Sequence, residues 1–538
     1  MHIGQERLGP APESRVSHFF SRNRWKENDR RNSSIYALFL KTKNTHIIII
    51  LMVTTAVGRV LSSFLLGLGI DESYTVALGR ELQLGYFDHP PLSWWLQWGV
   101  SHLLGSASPI IVRSPFIALF ALSTWLLYRL TTRLFSETAG LWAVLSFNLA
   151  PVFGITSASW VLPDGPLDAA LLGFMTCLTH ALDPAGRRPW AWWLGTGVTA
   201  GLALLSKYIA IFVLLGAAAA VLAHPLHRRW VSRPHPWLAI SLSATIFLPV
   251  ILWNADHYWC SFAFQGQRSL GDNTHLFAPV VTLGGEALFL LPWIWLPMMM
   301  EFFAAWRRGP ADWPRWLLAN SGTLPILFFA LVGIWSHSRV LFHWAAPGYL
   351  VLFPLLGAAL ARWTRRWGRV VIPRIAAASA ILILVCMTVV GTQVRWNWLP
   401  LLGKEFAPGA DPSLAAVDWT SLVPEMHARG LIGPGKPAVA TLKWYDAGKL
   451  DYALGGTATI ICLGEDSRGY GIIHPAAVYR GKDVLILVPE TRGREVERKI
   501  APLFDHITPL PALTVLQGGR PALKILVYLG TNFMRPDR

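Results

Sequence analysis

Residues 47–72 read IIIILMVTTAVGRVLSSFLLGLGIDE, an apolar run that passes directly into a pair of acids, Asp71 and Glu72. The run at 47–69 carries one charge, Arg59, and is long enough to cross about 30 Å of hydrocarbon as a helix. A cation in mid-span is costly unless it is paired, and no nearby residue offers a partner for Arg59. The two acids fall where such a helix would leave the bilayer. Working outward, similar runs recur near 109–130, 138–156, 166–182, 190–206, 208–223, 236–253, 280–303, 315–335, 344–361 and 373–391. With the first run they predict about eleven transmembrane helices in a polytopic α-helical membrane protein. The runs at 190–206 and 208–223 are short for a full crossing, which predicts broken or shielded helices there.

Composition agrees. Of 538 residues, 53% are hydrophobic and only 14% charged, against about 25% charged in soluble proteins. The 27 tryptophans suit the headgroup region, where an amphipathic ring has a place to sit. The net charge of +16 lies in short gaps between apolar runs, so it reads as membrane orientation and predicts no nucleic-acid partner. Cys177, Cys260, Cys386 and Cys462 show neither disulfide nor zinc spacing.

Alternating spans allow two orientations, and the basic residues choose between them. With residues 1–46 as a basic cytoplasmic segment before an uncleaved anchor, one side receives Arg129, Arg133, Arg187, Arg188, Arg228, Arg229, Arg233, Arg307, Arg308, Arg315, Arg362, Arg365, Arg366, Arg369 and Arg374. The other side receives only Arg80, Arg113, Lys207, Arg268 and Arg339. Every gap then obeys the positive-inside rule. The domain expectation is a membrane domain over 47–391 and an extracytoplasmic α/β domain over 392–538, periplasmic if the membrane is a bacterial inner membrane. In that last region 438–443, 459–463, 483–488 and 523–529 read as strands, and 444–454 and 494–503 as helices. The amphipathic loops at 70–108 and 254–279 are external and predict interfacial helices.

The low-charge outer face also gathers the chemistry: Asp71-Glu72, Asp88-His89-Pro90-Pro91, Asp164, Lys207, Arg268, Arg339 and His343. A carboxylate removes a proton from an acceptor hydroxyl, and Lys or Arg neutralises a departing phosphate. Each residue also has a structural reading. Asp71 at a helix end is a solvated cap, Asp164 caps a helix starting at Pro166, and Lys207 and Arg268 snorkel to the headgroups.

The ordered series carries more than its members. Asp71-Glu72-x-Tyr74, Gly85-Tyr86-Phe87-Asp88-His89-Pro90-Pro91-Leu92, Leu162-Pro163-Asp164-Gly165, Ser206-Lys207-Tyr208, Leu252-Trp253-Asn254, Ser261-Phe262-Ala263-Phe264-Gln265 and His343-Trp344-Ala345-Ala346-Pro347 follow one another on one face. This series resembles the protein O-mannosyltransferase and lipid A aminoarabinose transferase superfamily of GT-C fold enzymes, over roughly 47–350. The resemblance implies a glycosyltransferase that uses a polyprenyl-phosphate sugar as donor and a lipid A, lipopolysaccharide or other envelope glycan as acceptor. Protein Ser/Thr is the alternative acceptor. It implies Asp71 as catalytic base with Glu72 beside it, Asp164 as a second carboxylate near the acceptor or a divalent metal, and substrate contacts from Asp88, His89, Lys207, Arg268, Arg339 and His343. His89 departs from the lysine of the aminoarabinose transferases. A transporter or flippase is the rival class; it would favour ionisable residues at mid-depth and two similar halves, whereas these charges sit in outer loops.

Overall fold

The structure, a computed structural model, describes residues 44–271, 274–336, 340–366, 370–402 and 411–534. Most of the basic N-terminal segment, Arg339 and Arg369 lie outside these residues. Each apolar run falls on helix. α1 spans Asn44–Leu65, and the short helices α2 (Ile70–Leu78) and α3 (Leu92–Leu104) occupy the loop that follows. Next come α4 (Pro109–Leu134), α5 (Glu137–Leu149), α6 (Asp164–Ala181), α7 (Pro189–Ser206), α8 (Ala210–Ala223) and α9 (Pro234–Asp256). α10 (Cys260–Gln267) is short, and α11 (Ala278–Leu290), α12 (Pro292–Arg308) and α13 (Trp313–Val332) follow it. α14 (Ala346–Leu350), α15 (Phe353–Arg366) and α16 (Val371–Trp396) complete the helical region.

Among the described residues five helices are long and apolar enough to cross a membrane: α1, α4, α9, α13 and α16. The run at 280–303 is not one straight span, because α11 and α12 meet at a 115° bend. Pro292 opens the second helix and Leu291, at φ 72°, makes the corner. The short runs at 190–206 and 208–223 are α7 and α8, separated by a non-helical Lys207. Helices pack closely where side chains are small: a Cβ on Gly216 of α8 would lie 2.3 Å from the Asn320 carbonyl of α13.

Arg59 finds its partners far along the chain. Its guanidinium donates to the Gly154 carbonyl at 3.1 Å and lies 4.3 Å from the centre of the Phe120 ring. Gly154 belongs to a π-helical turn, Val152–Ser157, a geometry that disturbs the usual i→i+4 ladder.

Residues 411–534 form the α/β unit that the strand pattern predicts. β1 (Ala438–Thr441), β2 (Ile460–Cys462), β3 (Val484–Pro489), β4 (Phe504–Gln517) and β5 (Arg520–Phe533) make one sheet in the order β2-β1-β3-β5-β4. β1 is parallel to β2 and β3, while β5 is antiparallel to β3 and β4. β4 escapes the sequence pattern because Pro509 and Pro511 read as breakers. They are tolerated because β4 is an edge strand with a register shift between Leu510 and Leu513. Gly518 and Gly519, both at positive φ, turn the β4–β5 hairpin. The expected helix at 444–454 is α17 (Trp444–Leu454). The one at 494–503 is instead a succession of α, π and 3₁₀ turns.

This unit shares a core with the loop after α1. Tyr74, Leu78, Tyr86 and Trp94 are buried in one cluster with Trp444, Leu450, Tyr470, Leu485 and Val527. α17 lies directly on α2, and a Cβ on Gly448 would come within 2.8 Å of the Tyr74 backbone. Lys449 on α17 donates to the carbonyls of Leu68, Ala415 and Val417. The helix that carries Asp71 is therefore clamped by residues nearly four hundred positions away.

Candidate active site

α2 begins two residues after Leu68 and places Asp71 and Glu72 in its first turn, where carboxylates meet the positive end of the helix dipole. The two acids then diverge. Glu72 is buried and fully occupied: it accepts from the Gly69 N–H at 3.0 Å, from the Val161 N–H at 3.2 Å, and from Arg113 at 2.8 and 2.6 Å. Arg113 also donates to the carbonyls of Leu66 and Gly67. Glu72 thus pins the start of α2 to α4. Asp71 accepts no hydrogen bond from any described residue, and its side chain is open to solvent although protein surrounds it. Enclosure by protein raises the Asp71 carboxyl above its ordinary value; Arg468 opposes the rise, and Asp88, Glu72 and Asp164 add to it. A free, weakly acidic carboxylate of this kind suits proton removal.

Asp164 opens α6 rather than capping it, since the cap position is Pro163. Its oxygens lie 2.9 and 3.2 Å from Nζ of Lys207, which the break between α7 and α8 leaves in an extended backbone. His89 and His343 border this pair. Burial drives His89 well below its ordinary value and His343 down to about 4, with Lys207 adding to both, and both shifts favour the neutral imidazole.

Asp88 is buried and held on three sides. Tyr74 donates to Oδ1 at 3.1 Å, Arg468 to Oδ2 at 3.2 Å, and the Gln265 amide to the backbone carbonyl. Burial raises the Asp88 carboxyl, and Arg468 works against that. Arg268 lies 4.6 Å from the Trp344 ring centre and 5.2 Å from that of Phe264. Among the described residues its guanidinium faces no carboxylate at ion-pair distance, so its donors remain for an anionic ligand. Tyr208 shares a hydrogen bond of 2.7 Å with Ser261.

The structure therefore brings Asp71, Asp88, His89, Asp164, Lys207, Arg268 and His343 into one cluster of interacting charged and titratable groups, with Glu72 next to Asp71. Arg339 lies outside the described residues. For a divalent metal, Asp164 already shares both oxygens with Lys207, and no group of three His, Cys, Asp or Glu among the described residues is arranged to hold one. Sequence reasoning missed Arg468, which enters from the α/β unit and stacks 3.8 Å from the Trp444 ring centre. Tyr74 lay within the quoted motif, without a role.

Residues 88–253 match the dolichyl-phosphate-mannose-protein mannosyltransferase family. The lipid A galacturonosyltransferase RgtD of Rhizobium johnstonii is 25% identical over 309 residues, 55% of this chain. The match spans 60% of that relative's length. Crystal structures of ArnT from Cupriavidus metallidurans share the fold. The one bound to undecaprenyl phosphate superposes with a TM-score of 0.62 at 14% identity, covering 91% of this chain and 99% of that one. The apo form gives 0.60 at 15% identity with the same coverage. Motif order, matched segment and fold agree: the chain has the fold of the ArnT crystal structures, and its segment 88–253 is similar to the mannosyltransferase family.

Proposed function

We propose that the chain is a membrane glycosyltransferase that moves a sugar from a polyprenyl-phosphate donor to an acceptor on the extracytoplasmic side. The observation that carries this reading is Asp71, unpaired among the described residues, in one cluster with Asp164, which holds Lys207, and with Asp88, which interacts with Arg268. Asp71 takes the proton of the acceptor hydroxyl as that oxygen attacks the anomeric carbon. The bond to the phosphate oxygen breaks through an oxocarbenium-like state. Polyprenyl phosphate departs as an anion that needs no strong acid, and Lys207 and Arg268 neutralise it. One displacement inverts the anomeric configuration. Asp164 keeps Lys207 in place, neutral His89 and His343 line the donor side, and Arg339 is assigned to the same side on the resemblance.

The orientation follows from the arginine distribution. Residues 1–46 lie in the cytoplasm, 47–391 form the catalytic membrane domain, and 392–538 lie outside, in the periplasm of a Gram-negative cell. The acceptor is lipid A, lipopolysaccharide or another envelope glycan, as the name of the Rhizobium relative suggests. The matched family's description favours protein Ser/Thr as the second reading.

Mass spectrometry of envelope lipids and proteins from a deletion strain separates them. Loss of a glycosyl group from lipid A or glycan supports the first reading, and loss from Ser/Thr of an envelope protein supports the second. A strain with neither change contradicts the transferase assignment. In vitro, undecaprenyl-phosphate galacturonic acid with lipid A is the first donor and acceptor pair to test.

A further inference from the structure

The loop between β2 and the turn at Tyr470 contributes to the membrane-side site although it lies some 380 residues from it in sequence. Arg468, at φ 44°, turns its side chain between Trp444 of α17 and Phe264 of α10, with ring-centre distances of 3.8 and 5.4 Å. Its Nη1 donates to Oδ2 of Asp88 at 3.2 Å. The next residue completes the hold: the Gly469 N–H donates to the Tyr74 hydroxyl at 3.1 Å, and that hydroxyl donates to Oδ1 of Asp88 at 3.1 Å. A Cβ there would stand 2.5 Å from the end of the Leu78 side chain and 2.8 Å from the Tyr74 oxygen, so a larger residue would displace the Tyr74 hydroxyl. Two consecutive residues of the α/β unit therefore hold one buried carboxylate, Arg468 directly and Gly469 through the Tyr74 hydroxyl.

We propose that Arg468 is a positioning residue of the transfer site, supplied by the C-terminal unit. It holds Asp88 and the adjoining His89 in place and sets the electrostatic field at the base Asp71. The inference rests on the transferase reading. Several charged groups face Asp71: Glu72 on its own helix, neutralised by Arg113 of α4, and Asp164 of α6, paired with Lys207. The others are Asp88, Lys449 of α17 and Arg468. Arg468 is the charge that most favours an ionised Asp71, and Asp88 is the charge that most opposes it. Removing one or the other should move the base in opposite directions.

The test is the pH dependence of kcat/KM for the full-length chain with undecaprenyl-phosphate galacturonic acid and lipid A. Arg468→Gln should move the acid limb up by about one pH unit, and Arg468→Lys should bring most of it back. Asp88→Asn should move the limb down. A purely structural role for Arg468 would lower the rate equally at every pH, and that result would overturn the inference. If the wild-type chain turns over neither this nor any other lipid-linked sugar, the transferase reading fails first. The hold on Asp88 is then still read by a double-mutant cycle on thermal unfolding with Arg468→Gln and Asp88→Asn. Non-additive losses in Tm support the contact, and additive losses overturn it.

Discussion

Nζ of Lys207 lies 2.9 Å from Oδ1 of Asp164, tying the break between α7 and α8 to the first turn of α6. Both side chains are largely withdrawn from solvent, at 8% and 14% exposure. The pair is therefore too buried for Lys207 to be a freely snorkelling headgroup contact.

Lys207→Ala leaves the Asp164 charge unpaired and should lower Tm, since breaking a buried pair costs about 3–5 kcal/mol. Adding Asp164→Asn should recover much of that stability. Affinity for undecaprenyl phosphate should not recover, because the cation is still gone. Calorimetry with lipid binding on the single and double variants checks both halves, and a double variant that binds like wild type would remove Lys207 from the donor site.

Arg268 contrasts with Lys207 because it has ring contacts and no acidic partner among the described residues. Arg268→Ala should thus leave Tm nearly unchanged. Donor affinity should fall about ten- to hundredfold, the worth of a charge-assisted contact of about 1.5–3 kcal/mol. kcat should fall too, because charge on the bridging oxygen grows as the bond breaks. Unchanged kinetics would mean that Arg268 only anchors the loop at the interface.

Adjacent acids should fail in different ways. Glu72→Gln strips the partner from buried Arg113 and weakens the anchor of α2, so the expected loss is in folding, about 3–5 kcal/mol, seen as a large drop in Tm. Asp71→Asn breaks no hydrogen bond and should unfold at the wild-type temperature. Equal losses of Tm in the two variants would contradict the division of roles drawn here.

These acids also show how far a sequence can be read. Asp71-Glu72, the Asp88-His89 motif, Asp164 and Lys207 were legible because each sits at a sharp change from apolar run to polar loop. That the two neighbours differ in role was not legible. The difference depends on Arg113 and Val161, 41 and 89 residues away. Arg468 left no local signal at all, being one basic residue in a polar loop whose partner is 380 positions distant. Arg59 was recognisable as a problem, while its answer, a carbonyl in a π-helical turn, needed the fold. The alternating strands of the C-terminal unit were visible except β4, where two prolines disguise an edge strand.

Orientation is a separate prediction and rests on the arginines. A reporter fused after residue 538 should be active as alkaline phosphatase and dark as GFP. A fluorescent fusion without phosphatase activity would place Asp71 on the cytoplasmic side and invert the proposed acceptor side.

The central claim is that Asp71 is the base of a glycosyl transfer, and turnover of purified Asp71→Asn with a lipid-linked sugar tests it most directly. Asn keeps the shape of the side chain and loses the basicity. kcat should fall by about 10²–10⁴-fold, the usual contribution of a general base, while Tm and undecaprenyl phosphate affinity stay near wild type. An Asp71→Asn protein that transfers sugar at close to the wild-type rate would contradict the account.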